Sequence, residues 1–301
     1  MKTVPYMLRT TLILLLTPAA ALAADEQWQV GSAPSFSSGK YGTDSRTEVF
    51  YTPVTARRLF SEGDLTVVFP FTCIRGDGTV TVVDGSPTRT DLTRTGGTST
   101  DGTATRTGTT TTSTRTGTET TSTAVDASSG AGALAPRSTA CGAGDVVVRG
   151  RYYVLDERAW WPTIALRAHV KAPTADADKG LGTGRPDEGA GIEISRMLGG
   201  GFMTMVDAGY TVIGKPAGAE FRNSWWYDVG VGQDLAGGAV NLSVFFEEYS
   251  AIVPGLDNAR EVLAAVTMKG AGGWRLQVSG EFGLSDGAPD HGLTFGASRR
   301  F

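Results

Sequence analysis

The sequence predicts an all-β fold, a transmembrane antiparallel up-and-down β-barrel of about 12 strands. Three observations predict it. A short apolar leader opens the chain, yet no later stretch approaches the roughly 18 uncharged apolar residues of a membrane helix. Side-chain polarity alternates with period two through the second half. The connections between alternating segments are short and long in turn, the rhythm of a barrel with short periplasmic turns and longer external loops.

The leader comes first. Met1–Arg9 is basic, Leu12–Leu16 is a continuous apolar run, and Ala21-Leu22-Ala23 supplies small residues for cleavage. These are the three regions of a signal peptide, and the run is too short to span a bilayer. Residues 1–23 are therefore read as a signal peptide and residues 24–301 as the barrel. Lys and Arg number 27 against 31 Asp and Glu, a net charge of −4. Without Lys2 and Arg9 the count is 25 against 31, or −6. Such an acidic chain is a poor partner for nucleic acid. Two cysteines and two histidines exclude a zinc scaffold, and no cofactor is implied.

Twelve strands are expected, at 28–38, 47–58, 64–73, 144–155, 162–172, 188–198, 201–213, 224–234, 239–250, 260–269, 273–284 and 291–301. The first three are less regular, and Pro53 and Pro70 weaken them. The fourth sets Val146, Val148, Tyr152 and Val154 against Arg149 and Arg151. The fifth sets Ile164, Leu166 and Val170 against Arg167, His169 and Lys171. The ninth sends Val240, Leu242, Val244 and Phe246 one way, and Asn241, Ser243 and Glu247 the other. The eleventh separates Trp274, Leu276, Val278, Phe282 and Leu284 from Arg275, Gln277, Ser279 and Glu281. Short turns fall at Gly199–Gly201, Ala236–Gly238 and Gly270–Gly273. Longer loops fall at 174–187, 214–223, 251–259 and 285–290. An even count puts both ends of the barrel on the periplasmic side. Trp160-Trp161, Trp225-Trp226-Tyr227, Tyr249 and Trp274 stand near strand ends, where aromatic girdles belong.

Between the third and fourth strands the alternation vanishes. Residues 85–138 are rich in Thr, Gly and Ser and cannot bury enough apolar surface to order themselves, so a disordered external loop insertion is expected. Cys73 and Cys141 flank it. In an exported chain they predict a disulfide at the loop base, stabilising by about 4 kcal/mol on the chain-entropy model.

The same alternation assigns an inward face. Arg149, Arg151, Arg167, His169 and Lys171 form a basic wall on neighbouring strands. Glu193, Asp207, Asp228, Glu247, Glu261 and Glu281 form an acidic wall on later ones. Across a water-filled lumen the two would set a transverse field that sorts polar solutes by charge. In a narrow barrel they would instead pair across the interior and close it. Catalysis is not expected. There is no Gly-x-Ser-x-Gly elbow, His169 points inward with Arg167 and Lys171, and Gly182-Thr183-Gly184 precedes no helix. Phe301, after Leu293, Phe295 and Ala297 at alternate positions, resembles the terminal signal read by the barrel-assembly machinery.

Trp160–Gly184, with its Lys171-Ala172-Pro173-Thr174 strand end running into a Gly-rich acidic loop, carries a resemblance, together with Gly209–Gly214 and Asn223–Gly230. These stretches resemble a family of Gram-negative outer-membrane transporters described as the "MetA-pathway of phenol degradation" family. The resemblance covers roughly 28–83 and 140–301 and implies a barrel of about 12 strands that takes up small, including aromatic, compounds. It carries no catalytic residues, and the Thr-rich insertion departs from it. The expected function is an outer-membrane channel or transporter for small solutes, aromatic or hydrophobic compounds among them. The alternatives are a structural or adhesive surface barrel acting through the Thr-rich loop and, behind it, a lipid-modifying barrel enzyme. The expected partners are outer-membrane lipid, the barrel-assembly machinery and the solute.

Overall fold

The structure, a computed structural model, describes residues 27–83, 86–90 and 138–301. The signal peptide expected over 1–23 and nearly all of the tract expected over 85–138 lie outside the described residues.

The strands are β1 (Gln27–Ser32), β2 (Ser35–Gly39), β3 (Thr47–Phe60), β4 (Gly63–Gly76), β5 (Val80–Val83), β6 (Ser86–Arg89), β7 (Ser138–Ala143), β8 (Val146–Leu155), β9 (Thr163–Ala172), β10 (Asp187–Gly199), β11 (Phe202–Val212), β12 (Ser224–Leu235), β13 (Val240–Tyr249), β14 (Ala259–Lys269), β15 (Trp274–Gly283) and β16 (His291–Arg300). All but β5 and β6 belong to one antiparallel sheet. Both β1 and β2 pair with β16 on one side and β3 on the other, so the sheet closes on itself. The seam extends to Phe301, whose N–H and carbonyl exchange hydrogen bonds with Trp28. With β1–β2 and β7–β8 each counted as one broken strand, the ring has twelve strands, as expected. Among the described residues the ring closes on itself, the condition for strands to cross lipid, and only β7, which pairs with β4 alone, extends past it.

The two breaks have one cause. Pro53 and Pro70 face each other across β3 and β4. Neither has an N–H for the ladder on its other side. Opposite Pro53 the chain steps from Ser32 to Ser35. Opposite Pro70 it steps from Ala143 to Val146, where Gly144 still donates to the Pro70 carbonyl at 2.9 Å. The prolines therefore leave β3 and β4 intact, at 14 residues each, and interrupt their neighbours instead.

Polarity is inverted relative to a protein folded in water. Leu276, Val278 and Phe282 of β15 are exposed, whereas Ser279 is buried. Leu166 and Val170 of β9 are exposed, whereas Lys171 is buried. The most buried groups include Thr47, Thr72, Asp187 and Asp207. An apolar band of this extent is stable only against hydrocarbon. Short connections join β3–β4, β10–β11, β12–β13 and β14–β15, and Gly199, Gly200 and Gly201 take positive φ where β10 turns into β11, which residues with a Cβ resist. Trp28, Phe60, Trp160, Trp161, Trp274 and Phe301 are exposed toward this end. Trp225 stacks on Tyr227 toward the other, with ring centroids 5.9 Å apart. Two residues expected in the girdles depart from it, because the pleat that sends Trp225 and Tyr227 outward turns Trp226 inward, beside inward-facing Tyr249.

The long loops meet over one mouth. There β5 and β6 form a hairpin, so residues 86–89, expected to belong to the unstructured tract, are strand. Its valines join two clusters. Val82 packs with Val49, Ile74 and Leu181. Val83 packs with Ile213, Phe221, Ile252 and Val253 from the loops across the mouth. Cys73 and Cys141 stand in direct register on β4 and β7 and form the expected disulfide, 68 residues apart in sequence. Asp77, just past β4, accepts hydrogen bonds from the Ser45 and Thr79 hydroxyls and from the Thr79 N–H. Partial burial pushes its carboxyl up, but these donors outweigh that and hold it below the usual carboxylate range.

Candidate functional site

The lumen holds a cavity of about 690 Å³ beneath the hairpin and loops. Its walls are inward positions of the strands. Arg149 and His169 stand on one side, and Glu261 and Glu281 come from β14 and β15, half a turn of the barrel away. Glycines shape the wall between them. Arg167, Gly191, Gly209 and Trp226 occupy one cross-strand row. With no Cβ at either glycine, the indole lies flat across two strands; a Cβ on Gly191 would come within 2.9 Å of it. The ring thereby reaches the Arg167 guanidinium, 5.4 Å from its centroid. His169 likewise lies over Gly189, its Nε2 3.4 Å from the Thr211 hydroxyl.

Arg57, Arg151 and Arg167 are matched along the wall rather than across the lumen. Arg151 and Arg167 are direct cross-strand partners, a repulsive pair unless each is compensated. Arg151 Nε donates to Asp64 at 3.1 Å, and its terminal nitrogen donates to both Glu193 oxygens at 3.1 Å. Asp64 also accepts from Arg57 at 2.6 Å. Arg167 pairs with buried Asp207. These contacts join adjacent strands or strands one apart, so none of these pairs bars the lumen.

Lys171 does not line the cavity, contrary to its expected place in the basic wall. It is 1% exposed, clamped by Asp187 at 2.6 Å, Asp145 at 3.3 Å and the Thr183 hydroxyl at 3.0 Å. Asp187 also accepts the Gly214 N–H and Asp145 the Ala175 N–H, so this lysine ties two loops to the rim. Of the expected acidic wall, Glu193 and Asp207 are neutralised by arginines. Asp228, Glu261 and Glu281 line the cavity. Glu247 stands between Asp228 and Glu261 in the cross-strand row Asp207–Asp228–Glu247–Glu261.

Period two alone did not single out Arg57, Asp64, Asp145 or Asp187. The first two lie on the strands with the least regular alternation, and the last two lie at strand starts, where facing depends on the break and the loop. Among the described residues, no group of three or more His, Cys, Asp or Glu is placed to hold a metal ion.

A closed twelve-strand ring, apolar outside and polar within, defines an outer-membrane β-barrel. The chain belongs to the family described as "Putative MetA-pathway of phenol degradation", whose model matches residues 55–301. Among solved structures it is similar to the COG4313 outer membrane channel from Pseudomonas putida F1, at 12% identity over 93% of this chain and 97% of that one, with a TM-score of 0.59. It is more loosely similar to the translocator domain of the autotransporter NalP from Neisseria meningitidis, at 7% identity over 94% of this chain and 90% of that one, with a TM-score of 0.44. The β domain of the Bordetella autotransporter BrkA gives 12% identity, 92% and 99% coverage, and a TM-score of 0.43. No curated protein matches the chain.

Proposed function

We propose that the barrel is an outer-membrane channel that passes small solutes through its lumen. The observation that carries this reading is the direction of the ion pairs. They run along the wall, from Arg57 through Asp64 and Arg151 to Glu193, and leave a cavity of about 690 Å³ inside. That volume suits a small molecule. The fold it shares with an outer membrane channel supports the reading. The family's description and the inward indole of Trp226 favour aromatic compounds among the solutes. The chain is exported by residues 1–23 and inserted by the barrel-assembly machinery through its last strand, ending on Phe301. Catalysis plays no part in this function.

Conductance across a planar bilayer tests it. The purified barrel, shown to be folded by heat-modifiable migration, should give unitary current steps. Arg167→Glu and Glu247→Lys should shift ion selectivity in opposite senses. A folded barrel that never conducts would refute the channel.

A further inference from the structure

The outer wall of the barrel carries a charge pattern of its own. Around the seam, β15, β16, β1 and β3 turn apolar side chains toward lipid, among them Leu276, Val278, Phe295 and Val54. The pattern breaks at two positions, both toward the end with the short turns. Arg58 of β3 shares the outward parity of Val54 and Phe60, and Arg299 of β16 shares that of Leu293 and Phe295. No Asp or Glu shares that face of these four strands at that end.

Both arginines are held by rings. Trp28 of β1 is the direct partner of Arg58, and its ring centroid lies 5.7 Å from the guanidinium. The Phe60 ring, two residues further along β3, lies 5.3 Å from the same guanidinium. The arrangement recurs on the other side of β1. Trp274 of β15 is the direct partner of Arg299, with ring and guanidinium 5.9 Å apart. Arg299 Nε also donates to the Gly272 carbonyl at 3.3 Å, and no Asp or Glu among the described residues pairs with this arginine. A ring covers one face of a guanidinium and leaves the N–H edge, the edge that grips a phosphate through parallel hydrogen bonds.

The place decides what meets these groups. Trp28, Phe60 and Trp274 are exposed on the outward face where the apolar band ends, at the level of the lipid headgroups. The short turns mark this end as periplasmic. A cation at that level gains from an anionic lipid surface.

We propose that Arg58 with Trp28 and Phe60, and Arg299 with Trp274, hold the phosphates of anionic phospholipid headgroups in the periplasmic leaflet against the seam. The arginines flank β1, roughly 10 Å apart across two strand spacings, so each grips a phosphate of its own. β1 has only six residues and joins β16 to β3, so lipid held on both sides of it braces closure. The site is on the outer wall and does not depend on what the lumen passes.

Phosphatidylglycerol and phosphatidylcholine share a phosphate and differ in net charge, and serve as probes. The folded barrel in detergent is offered both in equal amounts, and native mass spectrometry counts what stays bound. Phosphatidylglycerol should be retained at least about fivefold over phosphatidylcholine. Arg58→Gln or Arg299→Gln alone should remove about half of that lipid, and the two together should bring the lipids to parity. Arg75→Gln is the control. This arginine faces outward near the opposite rim, is matched by Glu48 at 3.5 Å, and its loss should leave retention unchanged. In vesicles, phosphatidylglycerol should raise the temperature at which the wild-type barrel loses its heat-modifiable fold, and the double variant should lose that gain. The wild-type comparison needs no variant, so a variant that fails to fold does not shield the proposal. Equal retention of the two lipids by the wild type would overturn it, as would a preference that survives in the folded double variant. Displacement of the lipid by excess inorganic phosphate would assign the arginines to a soluble anion and overturn it too.

Discussion

The indole of Trp226 reaches Arg167 across two intervening strands, 5.4 Å from guanidinium to ring centroid, because the residues between them are Gly191 and Gly209. A methyl group at position 209 would occupy the space of the ring and would also press on the Ala190 carbonyl 2.6 Å away. Gly209→Ala should therefore lift the indole into the lumen and destabilise the barrel by about 1–3 kcal/mol, the usual range for overpacking. Urea unfolding followed by gel mobility measures the stability change. Single-channel recording should show reduced conductance, since the displaced ring narrows the cavity.

Lys171 is the most deeply buried cation among the described residues, and its partners Asp187 and Asp145 are buried with it. Removing one member of such a cluster leaves charge without a counter-ion. Lys171→Met should cost about 3–5 kcal/mol. The loss should appear first as protease cleavage within residues 173–186, the loop that Thr183 anchors to this lysine. Arg46→Met, which breaks the half-exposed pair with Asp290, is the control and should cost under about 1 kcal/mol.

The Asp77 carboxyl is held below its ordinary value of 3.8 by donors from Ser45 and Thr79. A group depressed on folding stabilises the folded state in full above its unfolded pKa, and that contribution fades as pH falls through the folded value. The contact between the β2–β3 loop and the start of the β5–β6 hairpin should thus be unchanged from neutrality to about pH 3.8 and weaken only below it. Hydrogen exchange at the Thr79 amide across that range measures it. Asp77→Asn, which cannot ionise, should remove the pH dependence.

Cys73 and Cys141 are bonded at the root of the segment they enclose. The native protein should take up no alkylating agent without reductant. Cys73→Ser with Cys141→Ser should lower stability by up to about 4 kcal/mol. Closure should survive, because β4 and β7 remain paired from Phe71 to Gly76.

Strand number, closure and facing were legible because lipid makes the alternation strict. An outward position must be apolar, so β8, β9, β13 and β15 announce themselves residue by residue. Nearness to strand ends, not the alternation, misplaced Trp226 and Tyr249. Proximity to a strand end marks a girdle only when the pleat also points outward, and parity with Asp228 and Glu247 places both rings inside. Lys171 followed parity correctly yet left the lumen. The loop over 173–186 folds across it, and loop conformation has no periodicity to read. The Arg57–Asp64 link was illegible for a related reason. On β3 and β4 the Pro53–Pro70 pair interrupts the polarity pattern that would have exposed it.

The hairpin β5–β6 is the part of the structure that the alternation hid, and it lies over the mouth. Only four residues form each arm, too few to stand alone. It is held by Val82 against the wall cluster and Val83 against Phe221, Ile252 and Val253. Thr81 and Arg89 add hydrogen bonds to the carbonyls of Gly180 and Gly42. Val83→Asp would bury a carboxylate among those apolar partners, which costs more than the hairpin's remaining contacts return. The hairpin should leave the mouth, while the closed ring below, which shares no strand with it, stays folded. Unitary conductance should therefore rise with heat-modifiability intact. Val30→Asp, on the lipid-facing surface, should instead impair folding and leave no such signature. Conductance unchanged in a folded Val83→Asp barrel would mean that the hairpin does not restrict passage.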